Sequence, residues 1–470
     1  MRDKNKREHD EEVMKLTENT LAAWRGSVKR REMEDARQYY LARNMGIRRK
    51  RRAYRDDNGD MAMNDTLSNA RIASAFVRVS VEQKKNYGFA RPFLLETTGH
   101  SGEDLNFYND AWNRFLDGGA RAAIERIAGN AILYGIGWGV PYIEAGELRL
   151  LSVCPEKVYP VWNDAEHTSL EFVVREYSSE RFGEEGVHKV EFWDADTAAF
   201  FVWENGLSPD VGKEMELGIE GCAGHISVGG ERIGWGVTPF AAFKGNDDEL
   251  PVLSVSRSYI DEYDALISKA ADTLEDDMDA VLLLKGVSPD MGSLRETRER
   301  IKNSGIAAVD TDGDARYIKN NPDILAARQY LDLLSKDIKQ FNAIIDTMDA
   351  KFGTNNSGEA LKMMYQDLDI YLNGLESKFR EFMRGLKWFF DRWLQMKKGG
   401  FERWREFGVN VTLDRDMMVN ESSLIENVVR LNGLVSQETL DGYNPAVISH
   451  KTERARRKKE RENGGDNVGY

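Results

Sequence analysis

The sequence predicts an α+β chain, mainly helical, with a β-rich region carried on helices and one amphipathic helix of exceptional length. Three observations carry this reading. Between Gly135 and Phe243, β-branched and aromatic residues recur at a period near two, in runs separated by Gly, Asp and Asn. On either side of residues 280–321, two stretches carry apolar residues at steps of three and four. From Leu361 to Met396, eleven apolar residues follow one another at those same steps.

At 470 residues the chain is longer than one hydrophobic core usually serves, so more than one lobe is expected. Hydrophobic residues at 41% suffice for packed cores, and charged residues at 31% suit an extended surface. The formal charge is −14. Proteins that grip DNA by displacing counterions carry a basic face, so tight global binding to nucleic acid is not expected. Cys154 and Cys222 stand far apart, which argues for a reducing compartment rather than a disulfide framework. The stretch Met1–Arg7 opens charged and lacks the apolar run of a signal peptide, and no run approaches the ~20 apolar residues of a membrane span. A cytosolic origin is expected.

In chain order, the first ~60 residues read as helical, with Leu21, Trp24 and Val28 at helical spacing and the basic run Arg48–Arg52 as a solvated face. A helix is expected from Asn69 to Tyr87, with Ile72, Phe76, Val79 and Val81 inward. Another is expected from Asp104 to Leu133, with Phe107, Trp112, Phe115, Ile124 and Ile127 as core. Strands follow at Val158–Trp162, Leu170–Val174 and Ala199–Trp203, while Cys222–Gly236 reads as loop.

After Pro251, Tyr259, Tyr263, Leu266, Ala270, Leu274 and Met278 form one apolar stripe, with Ser258 and Asp261 as a capping box. Ala280–Gly286 reads as a strand, Leu294–Asn303 as a short charged helix, and Ile306–Val309 with Ala315–Lys319 as a hairpin about an Asp-Gly turn. Pro322 restarts a helix whose stripe is Leu331, Leu334, Ile338, Phe341, Ile345 and Met348. The polar stretch Lys351–Gly358 breaks it, and Ser357 caps the long helix. Lys397-Lys398-Gly399-Gly400 ends that helix by complementing its dipole and supplying a left-handed cap. About 40 residues at 1.5 Å each make a helix of roughly 60 Å. Val409–Leu413 reads as a strand, Ser422–Leu434 and Lys451–Arg461 as helices, and the tail after Asn463 as disordered.

Chemistry-bearing motifs are sparse. The six histidines are scattered without metal-ligand spacing. Tyr134–Gly139 has the glycines of a nucleotide loop, but Val140-Pro141-Tyr142 continues as strand, so these read as structural glycines. Asp310, Asp312 and Asp314 hint at a calcium loop, yet Ala315 and Asn321 occupy positions that need glycine and glutamate. Asp272, Glu275, Asp276, Asp277 and Asp279 form an acidic cluster on one helix, for which a solvated or channel-facing surface is the default reading. No nucleophile–base pair is assignable, and no cofactor or metal is expected.

The ordered pattern resembles the portal proteins of long-tailed bacteriophages. Tyr39-Tyr40 with the basic run resembles the N-terminal element of that family, and Asn69–Ile72 through Asn86-Tyr87-Gly88 its early helix, although Ala90-Arg91-Pro92 replaces the usual Gly-x-Pro. Tyr134–Trp138 with Leu148–Glu156 is similar to its wing strands, and Ser256–Gly286 to its first stem helix. Ser357-Gly358-Glu359-Ala360-Leu361-Lys362 resembles the Ser-Gly-x-Ala-Leu-Lys signature of its long wing helix, and Val435–Leu440 the start of its crown.

The resemblance implies a wing over residues 1–253, stem helices over 254–279 and 322–346, and a small α/β clip over 280–321. It further implies a tunnel loop over 347–357, a long wing helix with return strand over 358–420, and a helical crown with tail over 421–470. It also implies a ring of twelve copies at one capsid vertex of the virion, assembled in the host cytoplasm. Double-stranded DNA would pass through its channel in packaging and ejection. The expected partners are the large terminase subunit, a head-completion adaptor, and the major capsid and scaffolding proteins, with no membrane. Lys351, Thr354, Asn355, Asn356 and Ser357 would face DNA, the acidic cluster would line stem or channel, and Arg295, Arg298, Asp312 and Asp314 would serve docking at the clip. Residues 254–322 hold 14 acidic and 9 basic residues, the sign a channel needs if phosphate is to slide past it. Two other classes compete: a non-ring coiled-coil scaffold or adaptor, and a metal-dependent nuclease using Asp276 and Asp277.

Overall fold

A computed structural model describes residues 2–51, 53–55, 61–63, 68–100, 102–179, 186–276, 281–285, 314–318, 324–346, 358–415, 429–435 and 440. The chain divides into two compact units, each assembled from separated stretches. The first comprises Met1–Ala22, Val81–Leu250 and Ala343–Tyr470, and the second Ala23–Ser80 and Pro251–Asn342. Residues 23–80, expected with the wing, thus share a compact unit with the helices expected as the stem.

The first unit is organised on the helix Gly358–Lys398, 41 residues long. Its apolar side chains have few other places to go. Leu368, Leu375, Phe379, Phe382, Leu386, Phe389 and Trp393 are buried as their spacing predicts. Leu372, Met383, Phe390 and Leu394 are buried as well, so the apolar face is wider than a single seam. Aromatic rings fill the interface: Phe390 stacks on Trp112 with centroids 4.0 Å apart, and Phe243 on Phe382 at 5.4 Å. The helix stops at Gly399 (φ +74°) and Gly400 (φ +73°), both left-handed, as the paired glycines lead one to expect.

Against this helix lies a three-stranded antiparallel sheet ordered Ala241–Lys244, Ile136–Glu144, Glu147–Val153. Gly135 caps the helix Arg121–Tyr134 in the left-handed conformation (φ +84°). A Cβ at Gly137 would lie 2.2 Å from the Ile127 carbonyl oxygen. The glycines of this stretch are therefore packing glycines that let a strand lie against a helix. Leu94–Thr98 pairs with the return strand Gly408–Thr412, which carries all but the last residue of the predicted Val409–Leu413.

A second, meandering sheet contains Val158–Trp162, Leu170–Ser179, Val187–Trp193, Thr197–Trp203 and Leu207–Pro209, with Ala223–Gly224 added alongside. Two features depart from expectation. Ile226–Val228 and Glu231–Ile233 form a hairpin about Gly229-Gly230 inside the stretch read as loop. A seven-residue helix, Val211–Leu217, precedes it.

The helix expected over 104–133 is two helices, Glu103–Phe115 and Arg121–Tyr134, joined by a wide turn at Leu116–Ala120. Gly119 sits at φ +106°, which interrupts the hydrogen-bond ladder. The core candidates Trp112, Phe115, Ile124 and Ile127 are buried, and Phe107 is half-buried.

The second unit pairs the helices Arg257–Asp276 and Ile324–Phe341 with Val28–Tyr40 and Met45–Arg48. Tyr259 meets Phe341 edge-on at 5.1 Å. The helix expected from Asn69 starts only at Phe76. Ile72 (41% exposed) and Val79 (43%) face outward, whereas Val77 and Val81 are buried. The strand Val281–Lys285 pairs antiparallel with Asp314–Ile318, while the partner proposed for the latter, Ile306–Val309, lies outside the described residues. Also outside them lie Leu294–Asn303, Pro322, Met348, most of the helix placed at 422–434 and everything after Leu440.

Candidate functional site

The helix Arg257–Asp276 carries two stripes, and the one it buries is not the apolar one. Ile260, Asp264, Ser268 and Asp272, spaced by four, are all at most 1% exposed. Tyr259, Tyr263, Leu266 and Ala270 are only half-buried, and Leu274 is 55% exposed. A buried polar face needs partners, because an unpaired carboxylate in the interior costs several kcal/mol.

The partners are the backbone of residues 70–74. Ala70 N–H donates to Asp272 Oδ1 at 2.6 Å, Ile72 N–H to Ser268 Oγ at 2.9 Å, and Ser74 N–H to Asp264 Oδ1 at 2.9 Å. The periods match. Four helical residues rise about 6.0 Å and two extended residues about 6.6 Å, so successive rungs meet successive alternate amides. These bonds explain why Asn69–Ala75 is not helical: the N–H groups of Ala70, Ile72 and Ser74 are already satisfied by side chains.

Each end of this ladder is clamped. The Lys50 ammonium donates to Asp272 Oδ2 at 2.5 Å and to the Ala70 carbonyl at 3.2 Å. The Asn44 amide donates to Asp264 Oδ2 and, at 3.1 Å, to the Ser74 carbonyl. One turn earlier, the Tyr39 hydroxyl donates to Asp261 Oδ1 at 2.5 Å. Burial, then the Asp261 bond, push the Tyr39 phenol above its usual range. Burial likewise raises Asp264, against the opposing bonds from Asn44 and Ser74. The helix begins at Arg257, and Asp261 is engaged by Tyr39 rather than by a capping box at Ser258.

The acidic cluster therefore splits. Asp272 is an internal anchor, a correction to its reading as a solvated or channel-facing carboxylate: it is 1% exposed and ion-paired. Glu275 is exposed near the helix end. Asp276 closes the helix, and Asp277 and Asp279 lie outside the described residues. Lys50, read as part of a solvated basic run, is half-buried on Asp272, while Arg48, Arg49 and Arg51 are exposed. Asp314 opens its strand opposite Lys285. Arg295, Arg298, Asp312, Lys351, Thr354, Asn355, Asn356 and Ser357 all lie outside the described residues. Among the described residues, no group of His, Cys, Asp and Glu is arranged to hold a metal ion. No described helix is long and apolar enough to cross a membrane.

The chain leading out of Ile324–Phe341 is fixed by the helix Phe76–Phe89. Within the second unit, Ser80 Oγ donates to the Asn342 carbonyl at 3.2 Å. Within the first, the Gln83 side chain bonds both backbone groups of Ile345: its Nε2 donates to the carbonyl at 3.0 Å and its Oε1 accepts from the N–H at 2.9 Å. Ile345, expected on the helical stripe, lies past the helix end at Phe341. At the next position, the buried Lys84 ammonium lies 4.1 Å from the centroid of the Tyr371 ring. Burial lowers its pKa to about 7.

A family model described as phage portal protein, SPP1 Gp6-like, matches residues 26–465. The chain belongs to that portal family. The portal protein of Bacillus phage SPP1 is 25% identical over 421 residues, covering 89% of this chain and 81% of that protein. The portal protein of Clostridium phage phiCD119 is 25% identical over 375 residues, covering 75% of this chain and 77% of that protein. Among solved structures, a chain from the neck of an empty GTA particle computed with C6 symmetry aligns at TM-score 0.43 and 13% identity, covering 78% of this chain and 88% of that chain. The mixed helix-and-sheet chain is thus a portal-family structural protein of the bacteriophage head–tail connector class. The residues that sequence reading missed here are Asp264, Ser268, Lys50 and Asn44. The visible signal was the spacing by four of Asp264, Ser268 and Asp272 beside an apolar stripe.

Proposed function

We propose that this chain is one of twelve copies in a closed ring at a single capsid vertex, through which double-stranded DNA passes during packaging and ejection. The observation that carries the reading is portal-family membership across residues 26–465. The helix Arg257–Asp276 supports it, because its polar side is buried within the unit while its apolar stripe stays half open. Leu325, Tyr330, Leu333 and Phe341 on the neighbouring helix are 45–67% exposed. Apolar surface of this kind on paired helices suits packing between like subunits.

In this reading the paired helices form the stem, and Glu275 lies toward the channel. The strands Val281–Lys285 and Asp314–Ile318 belong to a clip that docks the large terminase subunit during packaging and a head-completion adaptor afterwards. Major capsid and scaffolding proteins surround the ring, which assembles in the host cytoplasm and ends in the virion. Residues 347–357 are the tunnel loop, held at their entry by Gln83, and Lys351, Thr354, Asn355, Asn356 and Ser357 touch phosphate in passing. The chain has no catalytic role and takes no cofactor.

Negative-stain microscopy of the purified protein tests the ring: particles with a central hole are expected, and strictly monomeric particles at high concentration would overturn it. For the loop, proline at Asn355, Asn356 and Ser357 is expected to leave rings intact and reduce DNA packaging. Unchanged packaging would remove the loop from the mechanism.

A further inference from the structure

A closed ring of like copies uses two different surfaces on each subunit, one that projects and one that receives. The first unit carries a candidate for each. The projecting one is the helix Val211–Leu217. It is closed at both ends by its own bonds, with Asp210 accepting from the Lys213 N–H and Gly218 in the left-handed cap. None of its residues is buried. Val211 and Met215, one turn apart, are 56% and 78% exposed. A seven-residue helix has almost no stability of its own in water, and here only Lys213, Glu214 and Leu217 are even half-buried.

The receiving surface is a cavity of about 770 Å³ between the middle of the helix Gly358–Lys398 and the loop after Val158–Trp162. Trp162, with His167 stacked on it at 4.8 Å, forms one wall, and Trp388 and Phe389 form another. Lys244 and Lys378 are engaged inside the chain: Lys244 bonds the Glu166 carbonyl at 2.9 Å, and Lys378 pairs with Asp247 at 2.6 Å. Arg384 is not so engaged. Its Nε reaches only the Arg380 carbonyl, at 3.4 Å, and it has no acidic partner among the described residues. At Gly385 a Cβ would meet nothing within 4 Å, so the helix surface is open there.

We propose that the helix Val211–Leu217 of one copy docks in this cavity of the next copy, Met215 inserting against Trp388 and Phe389. The chemistry matches on two counts. A thioether on a flexible stem makes favourable contacts with aromatic faces. Glu216 is paired with Lys213 on its own helix at 3.0 Å, but its side chain is 66% exposed, and it supplies the carboxylate that Arg384 lacks. The docking rests on the ring reading and adds to it a specific pair of surfaces.

Cysteine pairing tests it. Met215→Cys and Gly385→Cys are combined in one chain and oxidised after assembly. A ladder of disulfide-linked species running beyond dimer is expected on a non-reducing gel, with neither single variant producing it. Rings in the microscope accompanied by only monomer, or only dimer, would overturn the docking while leaving the ring intact. Absence of rings from the unmodified protein would sink the ring reading and the docking with it. As a second arm, Met215→Asp is expected to raise the concentration needed for half-assembly at least about tenfold, whereas Met215→Leu keeps it near wild type. Equal assembly of both variants would count against the proposal.

Discussion

Removal of the Asp272 carboxylate by Asp272→Ala is the most direct perturbation of the side-chain ladder. Two bonds are lost at once, from the Ala70 N–H at 2.6 Å and from the Lys50 ammonium at 2.5 Å. Breaking a buried ion pair from one side costs about 3–5 kcal/mol. The Lys50 side chain is 22% exposed and can recover part of its hydration, which trims the figure to about 2–4 kcal/mol. Ser268→Ala removes one neutral bond beside Ile72, itself 41% exposed, and is expected to cost about 0.5–1.5 kcal/mol. The assay is amide hydrogen exchange of a peptide spanning residues 68–76. Asp272→Ala should reduce its protection about 30- to 700-fold at 1.4 kcal/mol per decade, and Ser268→Ala about 2- to 12-fold. The double variant Asp272→Ala with Lys50→Met should lose less than the sum of the singles, because no ammonium is left stranded. Unchanged protection in Asp272→Ala, or an equal loss in Ser268→Ala, would refute the idea that this face holds residues 70–74 through charge-assisted bonds.

Other outcomes follow from single sites. Lys84 has a folded pKa of about 7, below its unfolded value, so its charging penalty is full below pH 7 and is relieved as pH rises toward 10.5. Stability should therefore climb across that window, and Lys84→Met should flatten the slope in denaturant titrations at several pH values. Gly137→Ala forces a Cβ to 2.2 Å from the Ile127 carbonyl and should cost more than about 2 kcal/mol, read as lost soluble yield or a lowered Tm. Tyr108→Phe removes the 2.7 Å bond to Asp391 but leaves Lys387 on that carboxylate, so a loss of about 1–2 kcal/mol is expected by thermal denaturation.

The sequence by itself determined the elements whose residues answer to local rules. The helix Gly358–Lys398 follows from a sustained helical period, and its stop from two glycines that can turn left-handed. The strands Val158–Trp162 and Gly408–Thr412 follow from β-branched residues bounded by breakers. Ordered matches, led by Ser357–Lys362, were enough to place the chain among portal proteins.

Only the tertiary structure decided which side of Arg257–Asp276 is buried. An apolar stripe is the default inward face, but Asp264, Ser268 and Asp272 find amide partners 190–202 residues away, a pairing that no local window contains. The same distant bonds stop Asn69–Ala75 from coiling, and a single backbone angle at Gly119 divides the helix expected over 104–133. Periodicity reports what a segment can bury. Which of its faces goes inward depends on the groups that the rest of the chain brings to meet it.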